Sequence, residues 1–373
     1  MQKRRYKKTE QEVSLLGFGT MRLPVEGDDA KNILAGEVQK MVDYAIANGV
    51  NYFDTAYFYH EGVSENFIGE ALKKHPRESF YLADKLPAWM VKEDADVERI
   101  FYDQLKKCQV DHFDFYLAHA LNEKGFKKFM RHQGYEVLRN LQKEGKIGQL
   151  GFSFHDTPAV LEEIVNTYDW DFAQIQLNYL DWEEQDAKRQ YEILTQKGLP
   201  VIVMEPVRGG TLADVNPAAK KIFEAADPSV SVASWAIRYA ASLPNVLTVL
   251  SGMTNLSQVE DNVKTIANFT PLSKEEYDVV ARALAAQRQP GAIPCTACRY
   301  CMDCPEGIDI PGLFALYNQY HAEDEGKPFK EQYAALDEKA RASSCITCGK
   351  CSTHCPQTID IPKWMETIAA FAK

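Results

Sequence analysis

Long apolar runs are missing from this 373-residue chain. No stretch approaches the roughly 18 uninterrupted apolar residues of a membrane-spanning helix, so none is expected. Positive charge is in deficit. Forty-two Lys and Arg stand against 53 Asp and Glu, a formal net charge of −11. Nucleic acid and anionic membrane surfaces would be repelled and are not expected as partners. The basic start, Met1 to Lys8, is followed by no apolar run, so no signal peptide is expected. Lys3, Arg4, Arg5, Lys7 and Lys8 read as the solvated face of a hairpin, with a binding arm as the alternative. Cysteine is nearly absent for most of the length. Cys108 alone precedes residue 295, in a helical pattern that reads as core.

The other eight cysteines form two tight runs near the end. The first is Cys295-x2-Cys298-x2-Cys301-x2-Cys304-Pro305. The second is Cys345-x2-Cys348-x2-Cys351-x3-Cys355-Pro356, which matches the bacterial ferredoxin spacing. A zinc site usually takes four ligands as two separated pairs and has no use for the terminal Cys-Pro. Two [4Fe–4S] clusters are therefore expected, with zinc or disulfides as the alternatives. Their ligands must be reduced thiols, which points to a cytoplasmic location. His354, inside the second run, could tune that cluster's potential or simply face solvent.

Ahead of these runs, short apolar segments alternate with helical patterns. Strands are predicted at 14–18, 50–54, 79–84, 113–117, 147–153, 172–177, 200–204 and 246–251. Val38, Met41, Val42, Ala45 and Ile46 have the spacing of a buried helix face, and Asn48-Gly49 follows as a stop signal. Eight strand–helix units read as an α/β fold, a (β/α)8 TIM barrel, rather than a doubly wound sheet. Composition shifts near residue 286, and Gln287 to Ile293 reads as a linker. The expected domains are thus a barrel at 1–285 and a small all-α ferredoxin-like iron–sulfur domain at 286–373.

That second segment repeats itself. Cys304-Pro-Glu-Gly-Ile-Asp-Ile-Pro311 recurs as Cys355-Pro-Gln-Thr-Ile-Asp-Ile-Pro362. Each final proline is placed to open a helix, Leu313–His321 and Trp364–Phe371, because its missing N–H costs nothing there. A further helix is predicted at Glu331–Ala342. In two-cluster ferredoxins the fourth cysteine of a run ligates the other cluster. That rule would group Cys295, Cys298 and Cys301 with Cys355, and Cys345, Cys348 and Cys351 with Cys304.

Asp54 ends the second predicted strand, Lys85 follows the third and His119 the fourth. Tyr59 lies in the loop after Asp54. Singly, these are a helix cap, a surface lysine and a polar core histidine. Together they fall on the rim of a barrel where catalytic groups gather. At these residues the chain resembles the aldo-keto reductases, and with the cysteine runs it resembles that family's ferredoxin-fused branch. Leu16-Gly-Phe-Gly-Thr-Met-Arg22 looks like the family's first strand, and Phe53-Asp-Thr-Ala-x-x-Tyr59 like its Asp–Tyr motif. The resemblance implies carbonyl–alcohol interconversion with Tyr59 as general acid. Lys85 and Asp54 would lower the tyrosine's pKa, and His119 would orient the substrate oxygen. His60, Tyr57, Trp89 and Trp182 are further pocket candidates, with core packing the alternative.

The resemblance also implies a nicotinamide across the barrel mouth, near Gly19, Thr20 and Met21. Ser153 and Gln176 match carboxamide-binding positions, and Met204 stands where the family stacks an aromatic ring. Glu205, Val207 and Arg208 follow it, with Arg208 a candidate for the pyrophosphate. Ser251, Gly252, Thr254, Gln258 and Asn262 resemble the adenosine-phosphate segment. No cation stands at Gly252 or Gln258 to grip a 2′-phosphate, which favours NADH over NADPH. Arg22 or Arg208 is the alternative source of that charge. A hydride carries two electrons and a cluster accepts one, so a flavin or a redox protein partner is a second reading. A redox-sensing ligand-binding module is a third.

Overall fold

The computed structural model describes residues 1–6, 9–27, 29–287, 291–320 and 326–373. Lys7 and Lys8 of the basic start, residues 288–290 of the predicted linker and His321 lie outside them. The chain falls into two compact units. One comprises Met1–Val207 and Leu212–Leu284, the other Arg208–Thr211 and Ala285–Lys373.

The first unit opens with an antiparallel hairpin, β1 (Lys3–Tyr6) and β2 (Gln11–Ser14). Eight parallel strands follow: β3 (Leu16–Gly19), β4 (Tyr52–Asp54), β5 (Tyr81–Leu86), β6 (Phe113–Leu121), β7 (Ile147–Phe154), β8 (Phe172–Gln176), β9 (Val201–Met204) and β10 (Val246–Gly252). They close into a barrel in chain order, with β10 against β3. The run near residue 14 straddles two elements, since Ser14 ends the hairpin and Leu16 starts the barrel. β5 and β6 continue past their predicted ends. Lys85 and His119 therefore lie inside strands, because the barrel's upper layer is polar and apolar content alone stops short of it.

The hairpin packs against the N-terminal end of the barrel. Tyr6 and Val13 are buried with Tyr52, Phe115, Phe172, Ile202 and Leu247, and the Tyr6 hydroxyl donates to the Asp171 carbonyl at 2.9 Å. Arg4 is not solvated as predicted. Its guanidinium donates to the carbonyls of Ala241, Leu243 and Val246, of which Ala241 O is an acceptor that the end of its helix leaves orphaned. With that end filled, the C-terminal rim is left for chemistry. The first long helix spans Ala35–Ala47 and buries Val38, Met41, Val42 and Ala45, and Asn48 caps it.

The second unit is helical: Ile310–Tyr320, Gly326–Ala335, Lys350–Thr353 and Ile361–Phe371. The middle helix starts before the predicted Glu331 and ends at Ala335, after which single 3-10 turns cover Glu338–Ala340 and Ala342–Ser344. The sequence repeat is also a structural one. Gly307 N bonds Cys304 O at 3.0 Å, and Thr358 N bonds Cys355 O at 3.1 Å. Asp309 accepts from Gly312 N at 3.3 Å, and Asp360 from Lys363 N at 3.4 Å. Ile308, Ile310, Ile359 and Ile361 all enter one core with Leu313, Phe314 and Met365. Among the described residues no helix is long and apolar enough to cross a membrane.

One repeat position differs in strain. Gly307 has φ 72° and its counterpart Thr358 has φ 52°, a left-handed conformation that is costly for a residue with a Cβ. Thr358 is exposed, so few contacts would be lost on truncation. Thr358→Gly is expected to raise the stability of this unit by up to about 1 kcal/mol in urea unfolding. A loss of stability would show that the threonine side chain outweighs the strain.

Candidate active site

Lys85, on β5, is the centre of the barrel's polar rim, with no exposed surface. A buried ammonium must be paired and hydrogen-bonded. Its Nζ donates to Asp54 Oδ1 at 2.6 Å, to the Thr55 carbonyl at 2.6 Å and to the Tyr59 hydroxyl at 3.3 Å. Asp54 ends β4. Tyr59 enters from the turn beyond it, where His60 and Glu61 take left-handed conformations. The His119 ring, from β6, stands edge-on to that of Tyr59, 6.2 Å between centroids. The four residues predicted from the sequence thus meet in one place.

The electrostatics depart from expectation. Burial raises the Tyr59 hydroxyl well above its ordinary pKa, and Asp54, Glu205 and Asp84 add to this while Arg22 opposes it. The lowering expected from the nearby lysine is therefore not what this site produces, and the phenol stays protonated at neutral pH. Burial also raises Asp54, against the opposing pull of Lys85. His119 is pushed well below the ordinary imidazole range by burial, Lys85 and His155. It is neutral.

The His60 ring is held by main-chain groups at both nitrogens. Its Nε2 accepts from Leu23 N at 3.1 Å and its Nδ1 bonds the Ala30 carbonyl at 2.9 Å. It staples the segment after β3 to the Tyr59 turn. Trp89 does face the site: it is 41% exposed and its ring lies 5.1 Å from that of His119. Phe58, which sequence reading missed, stacks on Trp89 at 5.6 Å. An aromatic next to a recognised motif was its only signal. Tyr57 instead lies under Lys107, and Trp182 packs on Tyr191 and Tyr239.

The other rim residues occupy the ends of strands that neighbour one another in the barrel. Gly19 pairs with Gly252, and Gln176 with Met204. Ser153 Oγ accepts from Ala120 N at 2.7 Å. Gln176 donates to buried Asp181 at 2.7 Å. Asn262 donates to Ser251 Oγ at 2.9 Å, and Gln258 Oε1 accepts from Thr254 N at 2.7 Å. Thr20 accepts from Ser64 Oγ at 2.9 Å, while Met21 and Val207 flank the rim segments. Arg22 lies along Gly252, its Cδ 3.3 Å from where a Cβ would stand, and pairs with Glu205 at 3.4 Å. Arg208 falls in the second compact unit and not in that of the barrel.

An eight-stranded parallel barrel with an Asp, Tyr, Lys and His on its C-terminal rim is a specific arrangement. Residues 15–285 match the aldo/keto reductase family. The chain belongs to that family. It is 27% identical over 293 residues to L-galactose dehydrogenase of Arabidopsis thaliana, covering 71% of this chain and 88% of the relative. It is 24% identical over 264 residues to the NADH-specific methylglyoxal reductase of Escherichia coli, covering 58% and 79%. The fold superimposes on an aldo-keto reductase from Klebsiella pneumoniae in complex with NADPH, at TM-score 0.59 and 21% identity, over 76% of this chain and 94% of that one.

Residues 294–359 match the 4Fe-4S dicluster domain, so this reductase carries an iron–sulfur module. All nine cysteines are thiols, with no disulfide. Cys295, Cys298, Cys301 and Cys355 line one pocket. Cys304, Cys345, Cys348 and Cys351 line another. The fourth cysteine of each run therefore sits in the other run's ring, Cys304 included despite its shorter spacing. Four thiolates per cavity are the donor set of a four-iron cluster. At one ring's edge Asp303 pairs with Lys350 at 2.8 Å and His354 at 3.4 Å.

Three imidazoles in the barrel, those of His60, His119 and His155, are held below the ordinary range by burial, His155 at about 4. Their unfolded forms take up protons first as pH falls below about 6.5, so the unfolded state gains and stability drops through that window. The urea midpoint at pH 5 should lie below that at pH 7.5, and His155→Asn should flatten the difference. An unchanged midpoint would mean these rings are not held neutral by the fold.

Proposed function

We propose that the barrel interconverts a small carbonyl compound and its alcohol with a nicotinamide cofactor, and that the two cysteine rings each hold a [4Fe–4S] cluster. The observation that carries the first part is the fully buried Lys85 ammonium, between Asp54 at 2.6 Å and the Tyr59 hydroxyl at 3.3 Å. The nicotinamide, when bound, supplies the hydride to the carbonyl carbon. Tyr59 supplies the proton to the carbonyl oxygen, completing the alcohol, and is left as a phenolate. Lys85 is placed to stabilise that phenolate, and Asp54 keeps Lys85 in position. Neutral His119 holds the substrate oxygen by hydrogen bonding without competing as an acid. Trp89 and Phe58 form the apolar wall against which the substrate rests.

The residues fit a nicotinamide. Gln176, anchored by its amide N–H on Asp181 at 2.7 Å, ends β8 at the rim where a carboxamide would bind. Ser153 keeps a hydroxyl proton to donate after accepting from Ala120 N. Gly19, Ser251, Gly252 and Asn262 flank the path of the adenosine half. NADH is proposed to bind at least as well as NADPH. Arg22 lies beside Gly252, but Glu205 already offsets its charge, and Gln258 is neutral.

The eight ring cysteines would hold the clusters, which exchange single electrons. These rings favour the second reading, in which a flavin or a redox protein partner couples the module to the barrel. Cofactor extraction and a visible spectrum from anaerobically purified protein separate the two readings.

Three outcomes follow. Tyr59→Phe should lower reduction of a small-aldehyde panel, methylglyoxal included, by roughly 10²–10⁴-fold while nucleotide binding stays nearly intact. Near-normal turnover would remove Tyr59 as the acid. Anaerobic protein should contain about eight iron and eight sulfide per chain, the sum of two four-iron clusters. Stoichiometric zinc with negligible sulfide would refute that content. In parallel titrations NADPH should bind no tighter than NADH. Tighter NADPH binding by about tenfold, near the lower end of what one charge-assisted hydrogen bond provides, would place a cation at the 2′-phosphate.

A further inference from the structure

Behind Lys85, on the outer face of β5, lies a polar cluster for which the chemistry above has no use. Successive side chains on a strand point to opposite faces. Lys85 reaches into the barrel, and Asp84 reaches outward to the helices Ser64–Leu72 and Ala95–Cys108. Asp84, Glu65, Gln104 and Tyr116 have no exposed surface, and Cys108 has 1%. Burying so many polar groups in a barrel wall is costly unless each is satisfied.

The hydrogen bonds converge on the main chain of Lys85. Asp84 Oδ1 accepts the Lys85 N–H at 2.8 Å. Gln104 Nε2 donates to the Lys85 carbonyl at 3.1 Å and to Glu65 Oε1 at 2.9 Å. Tyr116 donates to Gln104 Oε1 and so fixes which end of the amide faces Lys85. The Cys108 thiol donates to Asp84 Oδ2 at 3.6 Å, and Lys107 reaches Glu65 Oε2 at 3.1 Å.

Strand topology explains why Lys85 needs this support. Alternate residues of β5 turn their main-chain groups toward β4: Tyr81 N bonds Asn51 O at 2.6 Å, and Thr55 N bonds Ala83 O at 3.0 Å. Lys85 is next in that series, but β4 pairs with β5 only as far as Asp54 and Ala83. The N–H and C=O of Lys85 would be left without a ladder in a buried place.

We propose that Asp84 and Gln104 are positioning residues for Lys85, replacing from the outer face the strand that β4 fails to supply. Through them Glu65 and Tyr116 set the height of the ammonium beneath Tyr59. Full burial, and then Glu65 beside it, push the Asp84 carboxyl well above its ordinary range. The charged groups facing it are Glu65 from one helix, Lys107 from the next and Lys85 on its own strand.

The inference rests on the proposed roles of Tyr59 and Lys85, and its test separates the two. Gln104→Leu, Asp84→Ala and Tyr116→Phe are compared with Tyr59→Phe, using methylglyoxal and NADH as probes. Circular dichroism and a thermal melt establish that each variant folds, and Tyr116→Phe keeps the packing if the others do not. A displaced lysine should cost about tenfold to a hundredfold in kcat, with nucleotide Kd and carbonyl KM moving less than about threefold. The alkaline limb of the pH profile should move upward, because a displaced ammonium stabilises the Tyr59 phenolate less. Asp84→Asn, which keeps an acceptor for the Lys85 N–H, should recover most of the loss in Asp84→Ala. Folded variants with kcat within about twofold of normal and an unmoved limb would overturn the inference while an inactive Tyr59→Phe leaves the functional reading standing. A wild-type protein without turnover, or an active Tyr59→Phe, would remove both.

Discussion

The burial of one ammonium group organises this barrel's active rim. Removing a charge from water is expensive, and breaking a buried pair by deleting one partner costs about 3–5 kcal/mol. Lys85 therefore has to be met by Asp54, the Thr55 carbonyl and the Tyr59 hydroxyl at once. Those contacts tie β4, the turn beyond it and β5 into one unit. The rest follows from this demand. The hairpin carrying Tyr6 fills the opposite end of the barrel, His60 pins the turn that carries Tyr59, and the Asp84–Gln104 cluster braces β5 from outside.

Burial also sets the chemistry. Desolvation keeps Tyr59 a firmly protonated phenol, and desolvation together with Lys85 keeps His119 a neutral imidazole. A proton donor and an uncharged hydrogen-bonding partner beside each other are suited to reduction. The proposed reverse reaction would need the phenolate, and Lys85 is the group within reach that would stabilise it.

Much of this was legible in the sequence because it rests on covalent spacing. The five-residue spacing from Asp54 to Tyr59, the apolar run before Lys85 and the paired Cys-Pro-x-x-Ile-Asp-Ile-Pro segments are local patterns, and the barrel, the rim and the crossed cysteine rings follow from them. What was not legible depends on strand ends and on contacts distant in sequence. β5 and β6 run on through charged residues because the barrel interior is polar at the top. Arg4 is held by carbonyls more than 230 residues away. Proximity to Tyr59 in the sequence cannot reveal that the His60 ring bonds Leu23 N and the Ala30 carbonyl. Asp84 sat in the same run as Lys85, and only the early end of β4 gives it a task.

The central claim is that Lys85 and Asp54 act on Tyr59 as one pair and not as two independent contributors. A double-mutant cycle with Lys85→Met and Asp54→Asn, measured as kcat for aldehyde reduction, tests it most directly. If they work as a pair, the double variant loses no more than Lys85→Met alone. Losses that multiply would contradict the account and give Asp54 a role apart from the lysine.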